Sequence, residues 1–150
     1  MEIIVFLVLL ALGYGFGRYA ESRHYRSIIE REQRLNSLPA IASRFPPPID
    51  QPVETSLVSG NAVISVDYFK RFLFGLRTLV GGRVSSYETL VDRARREAVL
   101  RMKQEAEQLG ARLVFNIKYE TASISKGARQ QVGAVEVLAY GTAIITEQEF

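Results

Sequence analysis

From Ile3 to Gly17 the chain carries no charged side chain, and Glu2 and Arg18 bound the run. As a helix, residues 1–17 would rise ~25 Å, at the low end of what crosses a hydrocarbon core of ~30 Å. The strongly apolar residues there (Ile3 to Leu10, Leu12 and Phe16) contribute roughly −0.3 to −0.6 kcal/mol each at mid-membrane. Insertion is therefore favoured. Tyr14 and Tyr19 fall where an interfacial belt would lie, and Arg18 can reach toward the head groups, relieving the short length. A cleaved signal peptide would start with Lys or Arg and end at a small-x-small site. Here Glu2 precedes the run and the basic residues follow it. Residues 1–19 are thus expected to form an uncleaved transmembrane anchor with the lipid bilayer as partner. Gly13 and Gly17 have a GxxxG spacing, which in so short a match reads as small residues rather than a packing motif.

Arg18, Arg23, Arg26, Arg31 and Arg34 outnumber Glu21, Glu30 and Glu32 beyond the span. By the positive-inside rule this predicts a single pass through the inner (plasma) membrane, N-terminus outside and the bulk in the cytoplasm. Residues 20–38 read as a basic juxtamembrane helix, solvated or facing head groups, with His24 an interfacial residue rather than a ligand or base. Pro39, Pro46, Pro47, Pro48 and Pro52 are all the prolines of the chain. They mark 39–52 as a linker, and three in a row impose polyproline II geometry, predicting a semi-rigid spacer that holds the domain off the bilayer.

The remaining residues, 53–150, carry the domain. Val53 to Val66 reads as one or two short strands broken at Ser59-Gly60-Asn61. Asp67 can cap a short helix through Val80 whose apolar positions, Phe69, Phe72 and Leu76 among them, cover far more than one stripe. Gly81-Gly82 ends it. Ser85 and Glu88 form a capping box for a longer amphipathic helix that Gly110 closes. Beyond it the period becomes two, and Leu113–Ile124 and Val132–Ile145 predict a hairpin. Both faces of the last strand are apolar, while one long helix can cover only one side of a small sheet. Self-association into a closed oligomer supplies the missing cover most simply.

Composition narrows the chemistry. The 150 residues are 47% hydrophobic and 23% charged, as in an ordinary folded chain rather than a disordered one. Cysteine is absent and His24 is the single histidine. Disulfides, thiolate metal clusters and cysteine nucleophiles are excluded, and a multi-histidine metal site would need several subunits. The net charge of +3 resides after Glu54, too mild an excess to predict nucleic acid as a partner. Arg93, Arg95, Arg96 and Arg101, interspersed with Asp92, Glu97, Glu105 and Glu107, read as a solvated, salt-bridged helix face.

The series Val58-Ser59-Gly60-Asn61-Ala62-Val63, Phe69 to Arg77, Val80-Gly81-Gly82-Arg83, Tyr87-Glu88, Ala94-Arg95-Arg96-Glu97-Ala98, Glu105-Ala106, Leu109-Gly110-Ala111 and Gly141-Thr142-Ala143 resembles the YbjQ family. That bacterial family carries a heavy-metal-binding label and no assigned reaction. The resemblance implies a small α+β unit of dodecin-like type: an antiparallel sheet with one long and one short helix, closing into a pentameric ring. Relatives tend to carry several acidic residues after Leu-Gly-Ala. Here the stretch is Asn116-Ile117-Lys118-Tyr119-Glu120-Thr121, with Lys118 where an acid is expected.

With a hairpin turn centred near Ala128, Glu120 and Glu136 would face each other, with Lys118 on the same face to neutralise them or a cation between them. All-oxygen ligands would suit Mg²⁺ or Ca²⁺ rather than soft metals. Arg83 after Gly81-Gly82 reads as a structural arginine, bonded to carbonyls or to a neighbouring subunit. Phe69, Phe72, Leu76 and Arg83 are the expected oligomer contacts. No residue is singled out as catalytic, cofactor-binding or metal-ligating. The expectation is a membrane-anchored, cytoplasmic, homo-oligomeric binding module without catalysis, its cofactor, small ligand and protein partner unspecified. Metal handling, or an enzyme with a composite site between subunits, is the alternative.

Overall fold

The computed structural model describes residues 1–65, 86–125 and 132–146. In chain order they form helix α1 (Glu2–Arg34), a 3-10 turn (Leu35–Ser37), strand β1 (Val53–Ser65), helix α2 (Ser86–Gln108), and strands β2 (Ala111–Ser125) and β3 (Val132–Thr146). The strands build one antiparallel sheet in the order β1-β3-β2, and α2 packs mainly on β1 and β3. The α+β class and the small antiparallel sheet are as expected. The short helix expected over 67–80, and with it Phe69, Phe72, Leu76 and Arg83, lies outside the described residues, as does the turn after Ser125.

The inner face of α2 is made of Ala94, Ala98, Met102 and Ala106, all fully buried. Three alanines in four let the helix axis approach the sheet closely, and Gly60 takes advantage of that approach. A Cβ on Gly60 would collide with the Ala98 carbonyl and the Met102 amide. The expected break at Ser59-Gly60-Asn61 is therefore corrected. β1 runs unbroken from Val53 to Ser65, and its glycine marks where helix backbone meets strand backbone rather than a turn. Side chains of α2 also reach round the outer edge of β1. Glu105 accepts from the Ser59 amide at 2.8 Å, and Arg101 donates to the Asn61 carbonyl at 2.8 Å. These bonds occupy edge groups that would otherwise invite another strand. At the other end Gly110, at φ +71°, caps α2 as its sequence predicts.

Val135, Val137, Ala139 and Ala143 of β3 are buried beneath α2, with Val58, Ala62 and Ile64 of β1 and Val114 of β2. Burying each larger aliphatic side chain stabilises the fold by roughly 1.5–3 kcal/mol. β2 departs from strict alternation between Phe115 and Lys118, where one extra residue bulges and Asn116 adopts φ 54°. Asn is among the few side chains that tolerate this conformation. Gly141 lies across from the bulge, where a Cβ would come within 3.0 Å of the Phe115 carbonyl.

Residues 39–43 do not act as a free spacer. They run along the edge of β2 in parallel: the Val114 amide donates to Pro39 O (3.0 Å), Ile41 N to Val114 O (2.9 Å) and Asn116 N to Ser43 O (2.9 Å). The proline-rich segment returns the chain from the end of α1 to the start of β1, with its first residues held by the sheet.

Candidate functional site

The densest charged constellation is the seam between the second half of α1 and the outer face of α2. Among the described residues Glu97 of α2 is the buried charged residue, 4% exposed. Arg31 of α1 grips its carboxylate with both terminal nitrogens, Nη1 to Oε1 at 3.1 Å and Nη2 to Oε2. Arg101, one turn further along α2, donates Nε to Oε1 at 3.0 Å. His24 Nε2 lies 3.9 Å from Oε2. Around this centre Arg96 makes a two-point contact with Glu32 (2.7 and 2.6 Å), Arg93 meets Glu21 (3.7 Å), and Arg34 meets Glu107 (3.3 Å) on the exposed rim. Lys103 Nζ donates to the Leu35 carbonyl at 3.2 Å, capping the end of the helical segment. Ile28, Leu35 and Leu100 form a small dry cluster beneath the charges.

Burial alone would raise the Glu97 pKa, but the hydrogen bonds and charges of Arg31 and Arg101 outweigh it and hold the carboxyl below its ordinary value. Glu32 is likewise lowered, by its bonds to Arg96. His24 is pushed down by burial and by the neighbouring Arg93, Glu97 opposing only in part. Its Nδ1 is buried without a hydrogen-bond partner, as is Arg93 Nε. A carboxylate whose oxygens are filled by two guanidiniums is a poor proton donor or acceptor at neutral pH, so this constellation suits docking rather than acid–base catalysis.

The sequence reading of this region is corrected on one count. Arg93 and Arg96 of α2 are salt-bridged to α1 rather than on an open solvated face, while Arg101 pairs with Glu97 within α2. His24, expected to be neither ligand nor base, lies beside Glu97 of α2. What hid this was distance along the chain: Arg31 and Glu97 are 66 residues apart, and charge spacing within each helix says nothing of which partner it will meet.

The hairpin carboxylates also differ from expectation. Glu120 pairs with Leu138 and Glu136 with Ala122, so the two acids share a face as diagonal neighbours and do not oppose each other. The register at these positions is offset by two residues from the one assumed. Lys118 does lie on that face, opposite Tyr140. Among the described residues no three His, Cys, Asp or Glu side chains converge as a metal site would require. The same sheet face carries Leu57 (72% exposed), Val63 (54%) and Leu138 (37%).

A family description of "Putative heavy-metal-binding" matches residues 51–147. The chain belongs to the YbjQ family. Similar proteins include the UPF0145 protein of Clostridium novyi, 45% identical over 93 residues that cover 61% of this chain and 84% of the relative. The UPF0145 protein of Thermus thermophilus is 43% identical over 91 residues, 61% of this chain and 75% of its own. A solved protein of unknown function from Pediococcus pentosaceus superposes with a TM-score of 0.45 at 15% identity, covering 72% of this chain and 96% of the other. The YbjQ match begins at residue 51. Every ion pair of the seam that involves Glu21, Arg31, Glu32 or Arg34 therefore joins a segment outside the YbjQ match to a helix within it.

Proposed function

We propose that this YbjQ protein is a membrane-anchored, cytoplasmic, homo-oligomeric binding module, of pentameric ring type and without a catalytic role. The observation that carries the reading is the bare first half of α1. The apolar stretch of this 33-residue helix is long enough to cross a bilayer, and none of it is buried against the rest of the chain. Isoleucines, leucines, valines and phenylalanines in such density have no solvent but lipid that they would not disturb. Assembly is supported by the uncovered sheet face around Leu57 and Val63, since large exposed apolar surface marks association sites. Phe69, Phe72, Leu76 and Arg83 stay the proposed subunit contacts.

The test is extraction of the full chain from bacterial membranes. It should resist alkaline carbonate, enter detergent, and elute with a light-scattering mass several times that of a protomer. Phe72→Asp should lower that mass. Release of the native chain by carbonate, or a monomeric mass in mild detergent, refutes the corresponding half of the reading.

A further inference from the structure

We propose that the domain sits flush on the bilayer, with anionic phospholipid head groups contacting Arg18, Arg23 and Arg26; this rests on the anchor reading above. The first argument is continuity. α1 passes without a break from the apolar stretch into the docked segment. Its first ion pair to α2, Glu21 with Arg93, comes three residues after Arg18, about 4.5 Å of helix rise. So short an interval leaves no room for a spacer between lipid and domain.

The second argument is direction. The successive contacts Glu21 with Arg93, Arg31 with Glu97 and Arg34 with Glu107 make α1 and α2 parallel. The start of α2 therefore points toward the anchor. β1 runs the opposite way, since Ser59 meets Glu105 and Gly60 lies under Ala98 and Met102. Its Ser65 end, paired with Ala134, is thus at the anchor side too. The Gln108 end of α2 is ~33 Å away along the helix.

The third argument is charge. Along the seam, Arg34, Arg93 and Arg96 are matched to Glu107, Glu21 and Glu32, and Arg31 and Arg101 share Glu97. Arg23 and Arg26 are exposed and have no carboxylate partner among the described residues, and Arg18 donates only to the Tyr14 hydroxyl at 3.0 Å. The acid between them, Glu21, is turned to Arg93. Arg18, Arg23 and Arg26 thus leave positive charge in the turns next to the apolar stretch, where an anionic leaflet would attract it.

Because the chain has no cysteine, single labels report position cleanly. The full chain bearing Ser65→Cys or Gln108→Cys, each with a fluorophore, is reconstituted into phosphatidylcholine vesicles with or without a minor fraction of phosphatidylglycerol. A head-group spin label serves as quencher. The expected result is severalfold stronger quenching at residue 65 than at residue 108. In parallel, the apparent affinity for phosphatidylglycerol over phosphatidylcholine should fall about fivefold per arginine removed in Arg18→Gln, Arg23→Gln and Arg26→Gln. Equal quenching at both labels in a chain that floats with vesicles overturns the flush geometry. Lipid preference unchanged in the triple variant overturns the head-group assignment. Failure to float at all instead overturns the anchor reading on which both rest.

Discussion

Helix α2 has two working faces, and they are held by different physics. Its inner face meets the sheet through Ala94, Ala98, Met102 and Ala106, with backbone touching backbone at Gly60. Its outer face meets α1 through Arg93, Arg96 and Glu97, and the 3-10 turn that follows α1 through Lys103. The inner contact joins residues all within the YbjQ match; the outer one ties that domain to the segment before residue 51. Close packing of small apolar groups is insensitive to salt and pH, whereas ion pairs gain little net stability and mainly fix register. The inner face is therefore the fold, and the outer face is a latch that sets where the domain sits relative to α1.

The sharpest way to break the inner contact is Gly60→Ala. The new methyl group would press on the Ala98 carbonyl and the Met102 amide, and backbone cannot rotate aside as a side-chain tip can. Overpacking usually costs 1–3 kcal/mol; here the whole helix must lift, so a loss of about 3 kcal/mol or more is expected in the denaturant midpoint of the domain. Gly15→Ala in α1, with nothing within 4 Å of the added carbon, should leave that midpoint unchanged. A Gly60→Ala chain as stable as the parent would show that the helix does not lie so close.

That contact also shows what the sequence could and could not reveal. The helical period of α2, its Gly110 cap and the alternation of β3 are local patterns, and each is legible from a few neighbouring residues. Gly60 was visible as an anomaly in a strand, yet its meaning depended on Ala98 and Met102, which only the tertiary arrangement brings over it. The latch was less legible still. Arg31, Glu32 and Glu97 look like ordinary surface charges within their own helices, and their complementarity appears only once α1 and α2 lie side by side in parallel. The bulge at Asn116 was hidden for a related reason: one inserted residue shifts facing without altering the composition of β2.

Breaking the latch should cost less than breaking the inner contact, and it should spare the sheet. Arg31→Ala leaves the buried Glu97 carboxylate with Arg101, itself half exposed, and loss of one partner from a buried pair is costly because the other charge is stranded. A weakening of α1 docking by about 2–3 kcal/mol is expected, read as faster amide exchange through residues 21–35 with β1 and β3 unaffected. The double variant Arg31→Leu, Glu97→Leu sharpens the point. It strands no buried charge, since Arg101 is half exposed, so docking should recover most of that loss. Equal damage from the single and double variants would mean that the ion pair itself, not the penalty for stranding a charge, holds the helix.

The smallest expected effect separates the two faces by pH. Glu97 and Glu32 are depressed below the ordinary glutamate value of 4.5. Their contribution is complete above that value and is lost as pH falls through their lowered docked values. His24 is depressed below 6.5 by burial, with Arg93, Arg31 and Arg101 disfavouring its charge and Glu97 favouring it. Undocked, it takes up a proton more readily, so docking begins to weaken as pH drops below about 6.5. The imidazole is 36% exposed, and solvent screening keeps this first stage small. Amide exchange through residues 21–35, corrected for its intrinsic pH dependence, should therefore quicken modestly between pH 7.5 and 5.5 and steeply below 4.5. The inner contact, made of Ala94, Ala98, Met102 and Ala106, has nothing to titrate over the upper part of that range. His24→Gln should remove the upper stage while leaving the lower one. If the upper stage persists in that variant, some group other than this imidazole sets it, and the latch would have to be relocated along the seam.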